Sequence, residues 1–196
     1  MIEFLWTVEE YEKFIDTYGE DDIMHRVLFE LLFWTGMRIG EVLALIKNDI
    51  DINRRVIKIA KTFHRMKGED IITTPKTKSS KRTIDIPAFL ADELKEYFDK
   101  LYEYPNDERL FPFVQEAVQH NMKRHIEKAG VKKIRVHDLR HSHAAYLIHE
   151  GTDALLVKKR LGHLDIKITL NTYGHLYPDD QKKVAEMLDR NRTKKE

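Results

Sequence analysis

Along most of this chain apolar residues recur at helical spacing, and over one central stretch they alternate. Residues 7–18 open on Thr7-Val-Glu-Glu10, in which a threonine and a glutamate three residues later can satisfy each other's free backbone donors. This capping box predicts a short helix. Residues 22–34 place Val27, Leu28, Leu31 and Leu32 on one face and end before Gly36, a residue suited to the left-handed turn that stops a helix. A third helix is predicted over 39–46.

The middle changes period. Val56-Ile-Lys-Ile59, Asp70-Ile-Ile-Thr-Thr74 and Arg82-Thr-Ile-Asp-Ile86 are rich in β-branched residues, and the last puts Ile84 and Ile86 on one face. Together they predict a three-stranded antiparallel sheet, with the polar, basic turn Pro75-Lys-Thr-Lys-Ser-Ser-Lys81 leading into its last strand. Helical spacing returns after Pro87 (Phe89, Leu90, Leu94, Tyr97, Phe98, Leu101) and over 114–129, 138–150, 153–161, 165–172 and 179–190. Gly130, Gly151 and Gly162 are natural stops. The fold class expected is mainly α with one small three-stranded antiparallel sheet.

Composition narrows the class. With 196 residues, 42% hydrophobic and 34% charged, and no linker-like or repetitive tract, the chain reads as one globular domain. No apolar run reaches the ~20 residues of a membrane span, and no signal peptide is visible. The absence of cysteine rules out disulfides and thiolate metal sites within it and fits a reducing cytoplasm, the expected location.

The net charge of +1 conceals a strong segregation. Residues 1–30 carry −7 and residues 83–118 carry −6, whereas residues 53–82 carry +8 and residues 119–163 carry +6. Two basic blocks folded to one side would make a face that attracts phosphates. Taken alone, the same blocks could equally be solvated surface.

Several rarer features follow one another in order. Thr35-Gly-Met-Arg-Ile-Gly-Glu41 sets Arg38 between a helix stop and a helix start, and the basic turn holds Lys76 and Lys78. His137-Asp-Leu-Arg140 begins a helix with its histidine and arginine on one face. Leu161-Gly-His163 comes next, and Tyr173 follows in Asn-Thr-Tyr-Gly-His175.

From Trp6 to about Leu188 this set resembles the tyrosine recombinase (phage integrase) family, with its T-G-x-R-x-x-E box, hairpin lysine, H-x-x-R box, L-G-H and late tyrosine. The resemblance implies the catalytic-domain fold of that family and a site-specific recombinase that cleaves and rejoins DNA by transesterification through a 3′-phosphotyrosyl intermediate. A topoisomerase-like relaxing enzyme and an inactive DNA-binding module of the same fold are the alternatives. It also implies that the chain spans residues 1–196 as a single catalytic domain without the core-binding and arm-binding domains of a full integrase.

The residue types suit that chemistry. The pentacoordinate phosphorus of phosphodiester exchange carries extra negative charge on its non-bridging oxygens. Arg38 and Arg140, planar and always protonated, can each donate twice to such oxygens, and His163 can donate once more. Tyr173 is the expected nucleophile and His137 the expected proton acceptor. The leaving 5′-oxygen needs a proton from a lysine, for which the resemblance points to Lys78, with Lys76 two residues away as the alternative. Lys76, Lys78, Lys81 and Arg82 are the expected DNA contacts.

Other readings of the same residues belong beside these. The arginines could be salt-bridge partners, Tyr177 and Tyr146 are competing tyrosines, and His137 with His141 could bind a metal from one helix face. For want of a third ligand, His141 and His143 read as helix-surface and packing residues, and no metal or cofactor is expected. Double-stranded DNA is the expected partner, with no membrane association, a monomer in free solution and self-association on DNA through the C-terminal helix.

Overall fold

A computed structural model describes residues 5–74, 80–176, 185–186 and 188–190. Helices α1 (Val8–Ile15), α2 (Ile23–Thr35) and α3 (Ile39–Leu43) come first. The strands are β1 (Ile50–Asp51), β2 (Val56–Ile59), β3 (Thr62–Met66), β4 (Glu69–Thr73) and β5 (Arg82–Asp85). Helices α4 (Ala88–Lys100), α5 (Gln115–Ala129), α6 (Val136–His149), α7 (Ala154–Leu161) and α8 (Ile166–Tyr173) complete it.

Local chemistry explains several boundaries. Thr7 caps α1, its side chain accepting from the Glu10 N–H while the Glu10 carboxylate accepts from the Thr7 N–H. Helix α2 is buried almost all round, from Val27 to Phe33, and so forms the centre of the main core. It packs against α1, α4 and α6, with the Tyr11 ring stacked on Phe33 at 3.8 Å.

The sheet departs from expectation. A three-stranded antiparallel sheet is present, but its order is β1-β2-β5, and the stretch around residues 70–74 is not in it. That stretch instead pairs with β3 as a separate two-stranded hairpin, Phe63 opposite Ile72 and His64 opposite Ile71. Tertiary contacts from Arg109 and Gly40 dock the hairpin. The Arg109 guanidinium lies over the Phe63 ring at 3.9 Å, and β3 lies against α3 at Gly40. A Cβ on Gly40 would sit 2.6 Å from Thr62 Oγ1 and 2.7 Å from the Phe63 carbonyl oxygen, so a side chain there would push the hairpin away.

A second, smaller core joins Ala144, Ile148, Val157, Leu161 and Tyr173. Helix α6 bridges the two cores: Val136 and Leu139 enter the main one, and Ala144 and Ile148 enter the other. Tyr173 thus belongs to a small unit of α6, α7 and α8, whereas Arg38 stands on the main body. Among the described residues no helix is long and apolar enough to cross a membrane.

Candidate active site

The site forms where α2 stops. Gly36 closes that helix at φ +64, and a Cβ there would meet the His143 ring at 2.6 Å and Leu161 at 2.9 Å. Its carbonyl oxygen accepts from Arg140 Nη1 at 2.6 Å, while Arg140 Nη2 donates to the Leu161 carbonyl at 2.7 Å. Two helix ends are thereby tied to one buried guanidinium. Burial, with Arg38 alongside, brings the Arg140 pKa down to about 9, so it remains protonated at neutral pH.

Arg38 precedes α3 and is held by Glu41. Its backbone N–H donates to Glu41 Oε2 at 2.9 Å and its Nη1 to Oε1 at 3.0 Å. Arg82 Nη1 and Nη2 reach the same two oxygens at 3.0 and 2.9 Å. Burial would raise the Glu41 carboxyl, but the contacts from Arg82 and Arg38 outweigh it and hold it below its ordinary value. Arg82 is therefore turned inward. Its Nε donates to the Arg160 carbonyl at 2.8 Å, and Arg160 in turn reaches His143 Nε2 and the Trp34 carbonyl, both at 3.0 Å.

Tyr173 ends α8 and is 3% exposed. Burial pushes its phenol up to about 12, with Arg140 pulling the other way. Its hydroxyl oxygen lies 2.7 Å from His141 Nδ1. His163 Nδ1 lies 2.9 Å from Thr169 Oγ1, and burial, then Arg140 and Arg38, brings that imidazole down to about 4. His137 is exposed on the rim; crowding by protein, followed by His141 and Arg140, holds it below the ordinary histidine range.

Arg38, His137, Arg140, His163 and Tyr173 all line one open cavity of about 390 Å³. Lys76 and Lys78 lie outside the described residues. Lys81 is exposed, and with Lys158 and Lys159 it borders an adjoining groove that His163 also lines. Arg82, expected among the DNA contacts, has its guanidinium committed to Glu41. His143 is a packing residue, as expected, but His141 is not merely surface: it lines the cavity and contacts the phenol. Its place one turn after His137 on the same helix was the available signal, and its partner could not be read from spacing. Tyr146 is half-buried, edge-on to Trp34, and Tyr177 lies outside the described residues. Among the described residues no three histidine, aspartate or glutamate side chains cluster as a metal-holding group.

Two cations and an enclosed phenol lining one cavity suit an anionic phosphorus centre and a nucleophile beside it. Fold comparison defines the class. The chain superposes on the catalytic domain of bacteriophage HP1 integrase with a TM-score of 0.61 at 21% identity, covering 93% of each chain. It superposes on the Tn1549 transposon integrase, solved in complex with circular intermediate DNA, with a TM-score of 0.80 at 24% identity, covering 95% of this chain and 67% of that one. The fold is that of a tyrosine recombinase catalytic domain.

The chain belongs to the phage integrase family, whose profile matches residues 5–180. It is 36% identical to the ICEBs1 integrase of Bacillus subtilis (strain 168) over 197 residues, which is 94% of this chain and 54% of that protein. The chain thus spans about half the length of the curated relatives it matches.

Proposed function

We propose that this chain is the catalytic domain of a site-specific DNA recombinase of the integrase type. The observation that carries the reading is the convergence of Arg38, Arg140, His163 and Tyr173 on one cavity. The two guanidinium groups and His163 bind the non-bridging oxygens of the scissile phosphate, where charge grows in the transition state. Tyr173 Oη attacks phosphorus as the P–O5′ bond breaks, leaving the 3′-phosphate on the tyrosine. The phosphotyrosyl ester conserves the bond, so a 5′-hydroxyl from another strand can reverse the step and complete strand exchange. Lys78 on the basic turn protonates the leaving oxygen, with Lys76 as the alternative; that role rests on the family resemblance. Lys81, Lys158 and Lys159 extend the binding surface along the DNA backbone. The partner is double-stranded DNA, and self-association on it runs through the C-terminal helix, with a monomer in free solution and the cytoplasm as location.

The test is covalent capture. A pool of nicked duplexes of randomised sequence is incubated with the protein and resolved on a denaturing gel. An attached strand mapped by mass spectrometry to Tyr173, lost in Tyr173→Phe, is the expected result, and the captured sequences define the target. No attachment, or attachment at another residue, overturns the reading. Relaxation of a supercoiled plasmid without strand exchange moves it to a topoisomerase.

A further inference from the structure

We propose that His141 is the residue that takes the phenolic proton of Tyr173 during attack, through its Nδ1, a role that rests on the reading of Tyr173 as nucleophile. The contact spans two helices: Nδ1 on α6 and the phenol oxygen on α8 are 2.7 Å apart, with ring centroids at 5.7 Å. His137 occupies the exposed rim one turn earlier, its ring edge-on to His141 at 5.0 Å. The phenol is buried and the imidazole half-buried, and both line the same cavity.

The surrounding charges set the direction of the proton. From α6 come His137, Asp138 and Arg140, with Arg135 just ahead of the helix; from α8 comes Tyr173, and His163 lies on the same cavity. Burial, with Arg140 and Arg135, keeps the His141 imidazole neutral at rest, and burial keeps the phenol protonated. A neutral imidazole with its Nδ1 lone pair towards an intact O–H is an acceptor in waiting. Asp138 pulls the other way, favouring the charged imidazole. It is buried and held ionised: burial would raise it, but the bonds from Arg135 outweigh that.

A phosphate entering the cavity offsets the charge of Arg140, the foremost of the cations that oppose an imidazolium at His141. As the Oη–P bond forms, the Oη–H bond breaks and its proton passes to Nδ1. The P–O5′ bond breaks, and that oxygen takes its proton from the lysine acid. On rejoining, a 5′-hydroxyl attacks phosphorus and gives its proton back to the lysine, the Oη–P bond breaks, and His141 returns the proton to Oη.

The first measurement needs no DNA. In ¹⁵N-histidine-labelled protein, Nδ1 of His141 is expected to report an unprotonated, hydrogen-bonded nitrogen that shifts in Tyr173→Phe. A protonated Nδ1 at neutral pH overturns the proposal. The second uses single-turnover attachment to the duplex captured above. His141→Ala and His141→Asn are expected to slow attachment by about 100-fold or more. Both should retain DNA binding by gel shift, and added imidazole should restore much of the rate to His141→Ala alone. Wild-type rates in the variants, or a slowing that imidazole does not relieve, assign His141 a packing role and overturn the proposal. Failure of the wild-type protein to attach DNA sinks the recombinase reading instead, and the ¹⁵N result then stands by itself. Should His141→Ala fail to fold, the same ¹⁵N spectrum of the wild-type protein decides.

Discussion

Arg82 grips both carboxylate oxygens of Glu41, at 3.0 and 2.9 Å, and the same carboxylate fixes the backbone and guanidinium of Arg38. Both partners are almost fully enclosed, with side chains 6% and 4% exposed. Arg82 is therefore placed to act on the site through Glu41 and Arg38. Breaking a buried pair leaves one charge stranded, so Glu41→Ala should cost about 3–5 kcal/mol in urea denaturation. The DNA-binding consequence separates the two basic neighbours. Lys81→Ala should lower the slope of log affinity against log salt by about one, as loss of a phosphate contact does. Arg82→Ala should leave that slope unchanged. An equal drop in both variants would place Arg82 on the phosphate backbone.

The chain's ends of helices were legible because they are written in local chemistry: Thr7 with Glu10, and Gly36, Gly130 and Gly162 in left-handed caps. The sheet was legible only in part. In β3 the single buried apolar residue is Phe63, so alternation gives that strand no signal, and its place depends on the close approach at Gly40 and on Arg109. Strand β1, two residues long, is too short to read at all. At the site, residue types in motifs pointed to Arg38, Arg140, His163 and Tyr173. The contact of His141 with a tyrosine 32 positions later is tertiary, and no local pattern carries it.

Arg38→Lys and Arg140→Lys should each reduce covalent attachment by orders of magnitude, since a point charge cannot make the paired contact of a guanidinium. Arg140→Lys should also lower the melting temperature, because one ammonium is poorly placed to hold both the Gly36 and Leu161 carbonyls. With charge supplied by side chains, attachment should proceed unchanged in EDTA. Activity that disappears in EDTA and returns with Mg²⁺ would contradict this assignment of the cations.

The last stretch of the chain should govern assembly. Residues 185–186 and 188–190 are helical, and Leu188 is 60% exposed. In sequence Val184, Met187 and Leu188 make an apolar stripe, though Val184 and Met187, like Pro178, lie outside the described residues. A short helix with such a stripe is marginal until it docks. Deleting residues 179–196 should leave a monomer by sedimentation yet weaken cooperative recombination of paired sites. Undiminished recombination would remove the segment from assembly.

Acid should weaken the fold from neutral pH downwards. His143 is enclosed, and burial followed by Arg160 holds it well below the ordinary histidine value. His163 is brought down to about 4, and His125, His137 and His141 are lowered too. Unfolded, each titrates near ~6.5, so below that pH the unfolded chain binds more protons than the folded one. The stability these histidines contribute is therefore whole above pH 6.5 and falls with pH, by up to about 1.4 kcal/mol per unit for the enclosed His143 and by less for the exposed His137, which solvent screens. Glu30 and Glu93 act with the opposite sign. Burial, then Glu93, raises Glu30 to about 7, and its contribution is lost as pH rises towards that value. Five histidines against two carboxyls decide the direction. Urea midpoints should fall from pH 7 to pH 5. Glu30→Gln, which removes a buried carboxylate, should raise stability at pH 8.5 by on the order of 2 kcal/mol and steepen the acid slope. Greater stability at pH 5 than at pH 7 that persists in Glu30→Gln would mean that the histidines are charged in the folded protein, and the neutral His141 that the proton transfer requires would lose its physical basis.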